Sequence, residues 1–123
     1  MKQMGMTHVT TTVRNLTGRG KGFSAEFLVD TGAILCLAPA NALRKAGIRK
    51  EGRRAYELAN GQPVEYDYGF ARVSFLGEET VTEIIFGPEH AEPILGVLAL
   101  ESTGLSVDPK TRSLRRMPAL PLK

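Results

Sequence analysis

From Thr7 to Asn15 the chain is rich in threonine and valine, with Val9, Thr11 and Val13 on one side of a two-residue alternation. That period predicts a strand with one buried face. Leu16 to Gly22, carrying Gly18, Gly20 and Gly22, interrupts it, and Phe23 to Val29 resumes strand character, so the pair predicts a hairpin with a flexible loop. The Gly-Arg-Gly-Lys-Gly run in that loop superficially resembles a phosphate cradle. It lacks the Lys-Ser/Thr ending and does not open a helix, so the hairpin reading stands. Pro39 to Ala46 predicts a short helix, with proline near its first turn and Gly47 available as a left-handed cap.

Tyr56-Glu57-Leu58-Ala59 leads into Asn60-Gly61, and Val64 to Tyr68 follows. Asn-Gly predicts a two-residue type I′ hairpin turn, because both residues tolerate positive φ. Val64, Tyr66 and Tyr68 occupy one parity while Val73 and Phe75 occupy the other. The flip predicts a bulge or sharp bend near Gly69. Leu76-Gly77-Glu78 is a further turn and Thr80 to Phe86 a further strand. After the polar, proline-bounded loop from Gly87 to Pro93 come Ile94-Leu95-Gly96, a short helix Val97 to Glu101, and a strand Leu105 to Val107. The tail 117–123 has no periodicity and is expected to be mobile. No internal repeat is present. Many short strands and one or two short helices predict a mainly β, barrel-like or sandwich domain occupying 1–123 as a single unit.

Composition narrows the class. With 123 residues, 42% hydrophobic and 24% charged, the chain has the make-up of an ordinary globular domain. No apolar run approaches the roughly 20 residues that span a bilayer, and no apolar stretch follows Lys2 to make a secretory signal. The lone Cys36 suits a reducing compartment, so the cytoplasm is the expected location and no membrane partner is expected. A net charge of +3 does not point to nucleic acid. The bases cluster at Arg44-Lys45, Arg49-Lys50, Arg53-Arg54 and Arg112 to Arg116, without interleaved aromatic residues to stack bases. They read as solvated faces.

Most reactive constellations are missing from the sequence. His8, His90 and Cys36 are too few and too scattered for a metal site, and no cofactor is implied. Cys36 sits in the apolar run Ile34-Leu35-Cys36-Leu37 and reads as a small core residue. No serine lies in a nucleophile elbow. An aspartyl phosphatase would need an acid two residues beyond Asp30, and that place holds Gly32.

The informative segment is Phe27-Leu28-Val29-Asp30-Thr31-Gly32-Ala33, an apolar strand running straight into Asp-Thr-Gly. The glycine turn lets backbone N–H groups approach the carboxylate and hold it. Together with the Asn60-Gly61 hairpin about thirty residues on, and Ile94-Leu95-Gly96 opening a short helix, this order of elements resembles the retropepsin-like aspartic peptidases, the family of the retroviral proteases and their stand-alone microbial relatives. The resemblance runs from about Val9 to Asp108. It implies a closed β-barrel of the acid protease fold, active as a homodimer on a peptide or protein substrate. It implies Asp30 as the catalytic carboxylate, Thr31 interlocking across the dimer axis, and Gly32 directing its N–H to the carboxylate. Ala33 and the hairpin tip Ala59, Asn60 and Gly61 would meet the substrate, the hairpin acting as a flap.

Two positions depart from many retroviral relatives. An aspartate commonly follows Asp-Thr-Gly-Ala, and an arginine follows the downstream glycine; here those places hold Ile34 and Val97, so apolar contact is expected in place of that internal ion pair. Peptide hydrolysis by carboxylates needs two of them around one water, one ionised and one protonated. The chain has three aspartates, Asp30, Asp67 and Asp108, and only Asp30 is followed by Thr-Gly. The second carboxylate is therefore expected from another copy on a two-fold axis. The sequence also admits a non-catalytic module, the same dimeric fold holding a peptide or partner without cleaving it.

Overall fold

The computed structural model describes residues 7–108, 110–120 and 122. The chain is mainly β, 51% strand and 11% helix. In order it forms β1 (Thr7–Arg14), β2 (Phe23–Val29), β3 (Cys36–Pro39), α1 (Ala40–Lys45), β4 (Lys50–Glu57), β5 (Pro63–Phe75), β6 (Glu78–Gly87), β7 (Ile94–Leu95), α2 (Val97–Ser102), β8 (Leu105–Val107) and β9 (Leu114–Arg116).

The alternation of the first strand has the predicted effect. Val9, Thr11 and Val13 are all buried, and β1 pairs antiparallel with β2 from Thr7↔Val29 to Val13↔Phe23. Thr11 is buried without penalty because its hydroxyl donates to the Val9 carbonyl at 3.1 Å. The strand order β1-β2-β7-β3-β6-β5 returns on itself through a second pairing of β1 with β5, so these six strands form a hydrogen-bonded ring. Phe27, Val73, Ile84 and Leu95 fill it, and Leu43 on α1 is fully buried against the same core.

The ring explains the parity switch along β5. Its pairing with β6 runs from Tyr68↔Ile85 to Phe75↔Glu78 without a break, so β5 itself is not bulged there. What changes is the neighbour each face covers. Ala71, Val73 and Phe75 face the ring's core, whereas the first half of β5 leaves the ring and pairs only with β4 as a projecting hairpin. The irregularity expected near Gly69 lies in the partner strand, where the register with β5 shifts between Lys50 and Gly52. Gly69 is still needed, since a Cβ there would lie 2.3 Å from the Arg49 carbonyl oxygen.

The turn chemistry differs from expectation in an instructive way. The tip of the projecting hairpin is not a two-residue type I′ turn. Leu58 and Gln62 bracket a three-residue loop: Gly61 N–H donates to Leu58 O at 2.8 Å and Leu58 N–H to Gln62 O at 2.9 Å. Gly61 alone has positive φ, at 84°, and the Asn60 side chain instead accepts the Gln62 N–H at 2.9 Å. That is a type I turn closed by a left-handed glycine. The two-residue turn with positive φ at both positions occurs at Leu76 (51°) and Gly77 (78°), between β5 and β6.

The basic run near the C-terminus is also more ordered than a solvated tail. Leu114–Arg116 forms β9 and pairs antiparallel with β8, Leu114 packs against the core, and Met117 N–H donates to Gly104 O at 2.8 Å. The 117–123 tail expected to be mobile is described only at 117–120 and 122, the rest lying outside the described residues.

A leucine held at positive φ is strained by its own Cβ, and Leu76 is half exposed with little packing to lose. Leu76→Asn should therefore raise stability by about 0.5–1 kcal/mol in chemical denaturation. A lower denaturation midpoint would show that the leucine side chain contributes more than its backbone costs.

Candidate active site

The two residues of β7 organise this region. They insert between β2 and β3, parallel to the first (Leu28↔Ile94, Val29↔Leu95) and antiparallel to the second (Leu37↔Ile94). Leu28 N–H donates to Pro93 O at 2.9 Å, and Asp30 N–H to Leu95 O at 3.2 Å. Asp30 thus leaves the end of β2 with its backbone tied to the strand beside it. The loop that follows crosses the start of α2: Val97 N–H donates to Ala33 O at 2.8 Å and Leu98 N–H to Ile34 O at 3.1 Å. These two donors belong to the first turn of a helix, where no intrahelical acceptor exists for them. The Asp30 loop supplies it.

Gly96 is what lets the segments cross. A Cβ at that position would lie 2.5 Å from Leu35 O and 2.7 Å from Ile34 O, both backbone atoms that cannot move aside cheaply. Asp30 itself is half buried, and its Oδ1 accepts the Gly32 N–H at 2.9 Å. Ala33 N–H donates to Asp30 O at 3.1 Å and closes the turn. Side chains at Thr31 and Ile34 are exposed, Ile34 by 67%, so the isoleucine is not packed into its own chain. Leu98 on α2, bonded through its backbone to Ile34, is 45% exposed.

Asp30 borders a cavity of about 720 Å³ between this loop and the projecting hairpin. Gly32 and Ala33 line it on the loop side, and Leu58, Ala59, Val64 and Tyr66 on the hairpin side. Leu37, Ile85 and Ile94 give it an apolar wall. Of the positions expected from the sequence, Asp30, Gly32, Ala33 and Ala59 meet at this cavity, while Thr31, Asn60 and Gly61 do not line it.

Sequence reading missed a polar cluster at the same cavity. Arg54 on β4 reaches across β5 to Glu83 on β6, its Nη1 donating to both carboxylate oxygens at 2.8 Å. The Tyr56 hydroxyl donates to Glu83 at 3.3 Å, and the Arg54 guanidinium lies 4.0 Å from the centre of the Tyr68 ring. Desolvation and the adjacent Glu83 charge push the Tyr56 hydroxyl up to about 12, which keeps it a donor. No local motif marks this cluster, because its members are brought together only by the order β4-β5-β6.

The other aspartates are engaged elsewhere. Asp67, 14% exposed, faces Arg53 Nη1 at 3.0 Å and Lys50 Nζ at 3.3 Å. Desolvation opposes its charge, but hydrogen bonds from Arg53 and Lys50 prevail and hold the carboxyl below the usual range. Backbone N–H groups of Lys110 and Thr111 likewise hold Asp108 low. Much of the basic cluster from Arg44 to Arg54 is therefore matched by this chain's own acids. Cys36 is buried, and burial pushes its thiol up to about 11, which suits packing and not nucleophilic attack. Among the described residues no group of three or more His, Cys, Asp or Glu could hold a metal ion, and no helix is long and apolar enough to cross a membrane.

No protein-family description and no curated protein sequence matches the chain. Solved structures do. The simian foamy virus (mac) protease is similar over 76% of this chain and 91% of its own, with a TM-score of 0.52 and 15% identity. A retropepsin-like aspartic protease from Rickettsia conorii is similar over 84% of each chain, with a TM-score of 0.51 and 20% identity. The fold is retropepsin-like.

The crossing predicts its own sensitivity. Gly96→Ala should destabilise the protein by about 2 kcal/mol or more, because the new methyl group must displace backbone. Unfolding at the wild-type denaturant concentration would contradict this account of the crossing.

Proposed function

We infer that the protein is an aspartic endopeptidase whose active site is shared by two copies, each contributing Asp30. The observation that carries this reading is a carboxylate oriented by the Gly32 N–H at the rim of a 720 Å³ cavity, on a retropepsin-like fold. Among the described residues, no second carboxylate of the same chain is bonded to Asp30 or held by a neighbouring glycine N–H as Asp30 is, and Glu57 sits on the hairpin side of the cavity. Glu83 borders the cavity but is engaged by Arg54 and Tyr56, and Asp67 and Asp108 are bonded elsewhere. The exposure of Thr31, Ile34 and Leu98 beside Asp30 supports a second copy docking there.

In the dimer, two like carboxylates close together cannot both ionise and so share a proton. The ionised one takes a proton from a water held between them while the water oxygen attacks the peptide carbonyl. Its protonated partner gives its proton to the carbonyl oxygen, forming a gem-diol. Collapse of that intermediate breaks the C–N bond. A carboxylic acid of the pair protonates the departing nitrogen, and the diol proton returns to the pair. The hairpin of β4 and β5, whose apolar residues face the cavity opposite Asp30, would close over an extended peptide and exclude bulk water. Thr31 would bridge the two loops at the axis, and Asn60 and Gly61 would act as the flap tip.

Asp30→Asn preserves shape and removes the ionisable group. Cleavage of an unbiased peptide library should fall by about 10³-fold or more, with circular dichroism and sedimentation unchanged and the species a dimer. Cleavage near the wild-type rate by pure Asp30→Asn protein, or by a wild-type monomer, would overturn the reading. A wild-type dimer that binds library peptides and leaves them intact would make this a binding module.

A further inference from the structure

The cavity is mostly apolar; its polar lining residues are Asp30, Tyr66, Glu57 and the cluster formed by Arg54, Tyr56 and Glu83. Its charge is decided by which of these groups remains open to a ligand. Glu83 is only 14% exposed, and its carboxylate already accepts from Arg54 and Tyr56. Arg54 is 50% exposed. One Nη1 hydrogen is shared between the two Glu83 oxygens and one Nη2 hydrogen reaches Tyr68 Oη at 3.3 Å, two of the five N–H groups a guanidinium carries. The other three have no partner among the described residues, and the guanidinium is held in place by Glu83 on one edge and by the Tyr68 ring on its face.

A further acid, Glu57, borders the cavity but does not present its charge there. The register Arg53↔Asp67, Ala55↔Glu65, Glu57↔Pro63 places Glu57 on the same face of β4 as Arg53, which bonds Glu65 and Asp67. Arg54 and Tyr56 share the other face with Tyr66 and Val64, which line the cavity. Of the Arg54–Glu83 pair, it is therefore the guanidinium, 50% exposed, whose donors stay open at this end of the cleft, while the carboxylate is 14% exposed.

We propose that Arg54, braced by Glu83 and Tyr68, is a specificity-determining residue that selects peptides carrying an acidic side chain at one position along the cleft. The carboxylate of a substrate Asp or Glu accepts from the N–H groups of Arg54 that Glu83 and Tyr68 leave over, while flanking apolar residues lie against Leu37, Ile85 and Ile94. Substrate Lys or Arg is disfavoured, because Glu83, the one acid of the cluster, is covered by Arg54 itself. The inference rests on the cleft being a peptide site but not on the peptide being cut.

The test uses end-blocked octapeptides in which each position in turn is Glu, Gln or Lys, with binding to the Asp30→Asn protein read by fluorescence anisotropy and cleavage read with the wild type. At one position Glu should bind about two- to fivefold more tightly than Gln, the range for a partly exposed charge pair, and Lys more weakly than either. Arg54→Gln should erase that difference. Glu83→Gln should widen it, because the guanidinium loses its internal counter-charge. A purely structural brace would instead weaken all peptides alike. Equal binding of Glu, Gln and Lys peptides at every position, binding of none, or a Glu preference that survives Arg54→Gln would overturn the proposal. If Arg54→Gln does not fold, the response of Glu83→Gln decides. A Glu preference without cleavage would refute the peptidase reading and leave this one standing; cleavage without charge preference would do the reverse.

Discussion

The arrangement around Asp30 depends on one backbone crossing. The loop after β2 passes over the segment from Leu95 to Leu98 so closely that Gly96 has no room for a Cβ, and the two segments exchange three hydrogen bonds: Asp30 N–H to Leu95 O, Val97 N–H to Ala33 O, and Leu98 N–H to Ile34 O. Each bond answers a need. Asp30 emerges at a strand end and α2 begins without capping side chains, so both would otherwise leave polar backbone groups without protein partners. Joining them fixes the carboxylate to the barrel through main-chain atoms, which are less mobile than any side-chain tether. The same crossing leaves Thr31 and Leu98 exposed and sets Ile34, also exposed, at the edge of the cavity. It therefore couples this exposed surface with the position of the Asp30 carboxylate.

Across the cavity, the projecting hairpin is anchored differently. It is joined to the ring through the continuous β5 strand and through Arg54, which spans β5 to reach Glu83. An ion pair half open to water is worth little as a staple by itself. Its geometry here, with one nitrogen shared between both carboxylate oxygens and an aromatic face beneath, makes it better suited to holding a guanidinium in one orientation. Rigidity of that kind serves recognition more than stability.

How much of this was legible in the sequence follows from how local each determinant is. β1 could be read because it buries one face, so Val9, Thr11 and Val13 alternate, and β2 because it ends in a run buried on both faces, Phe27 to Val29. Asp30 could be read because a strand end and a glycine turn are contiguous. β4 could not, since Lys50 to Ala55 lies on a projecting ribbon whose faces are exposed or ion-paired and therefore show no apolar alternation. The turns misled for a related reason. Asn60-Gly61 has the preferred chemistry for a type I′ turn, yet the loop takes three residues, and the type I′ backbone falls on Leu76-Gly77, where the β5–β6 register overrides the leucine's own preference. Arg54 and Glu83 meet only because of strand order, which no window of sequence contains.

The central claim is that catalysis needs one Asp30 from each of two copies, and subunit mixing tests it most directly. Wild-type and Asp30→Asn chains are unfolded together, refolded at varied ratios and fixed total concentration, and assayed on a cleavable library peptide. If both carboxylates are required, activity follows the square of the wild-type fraction and falls to about one quarter in an equal mixture. A linear decline to one half would contradict the account, because a single Asp30 would then suffice.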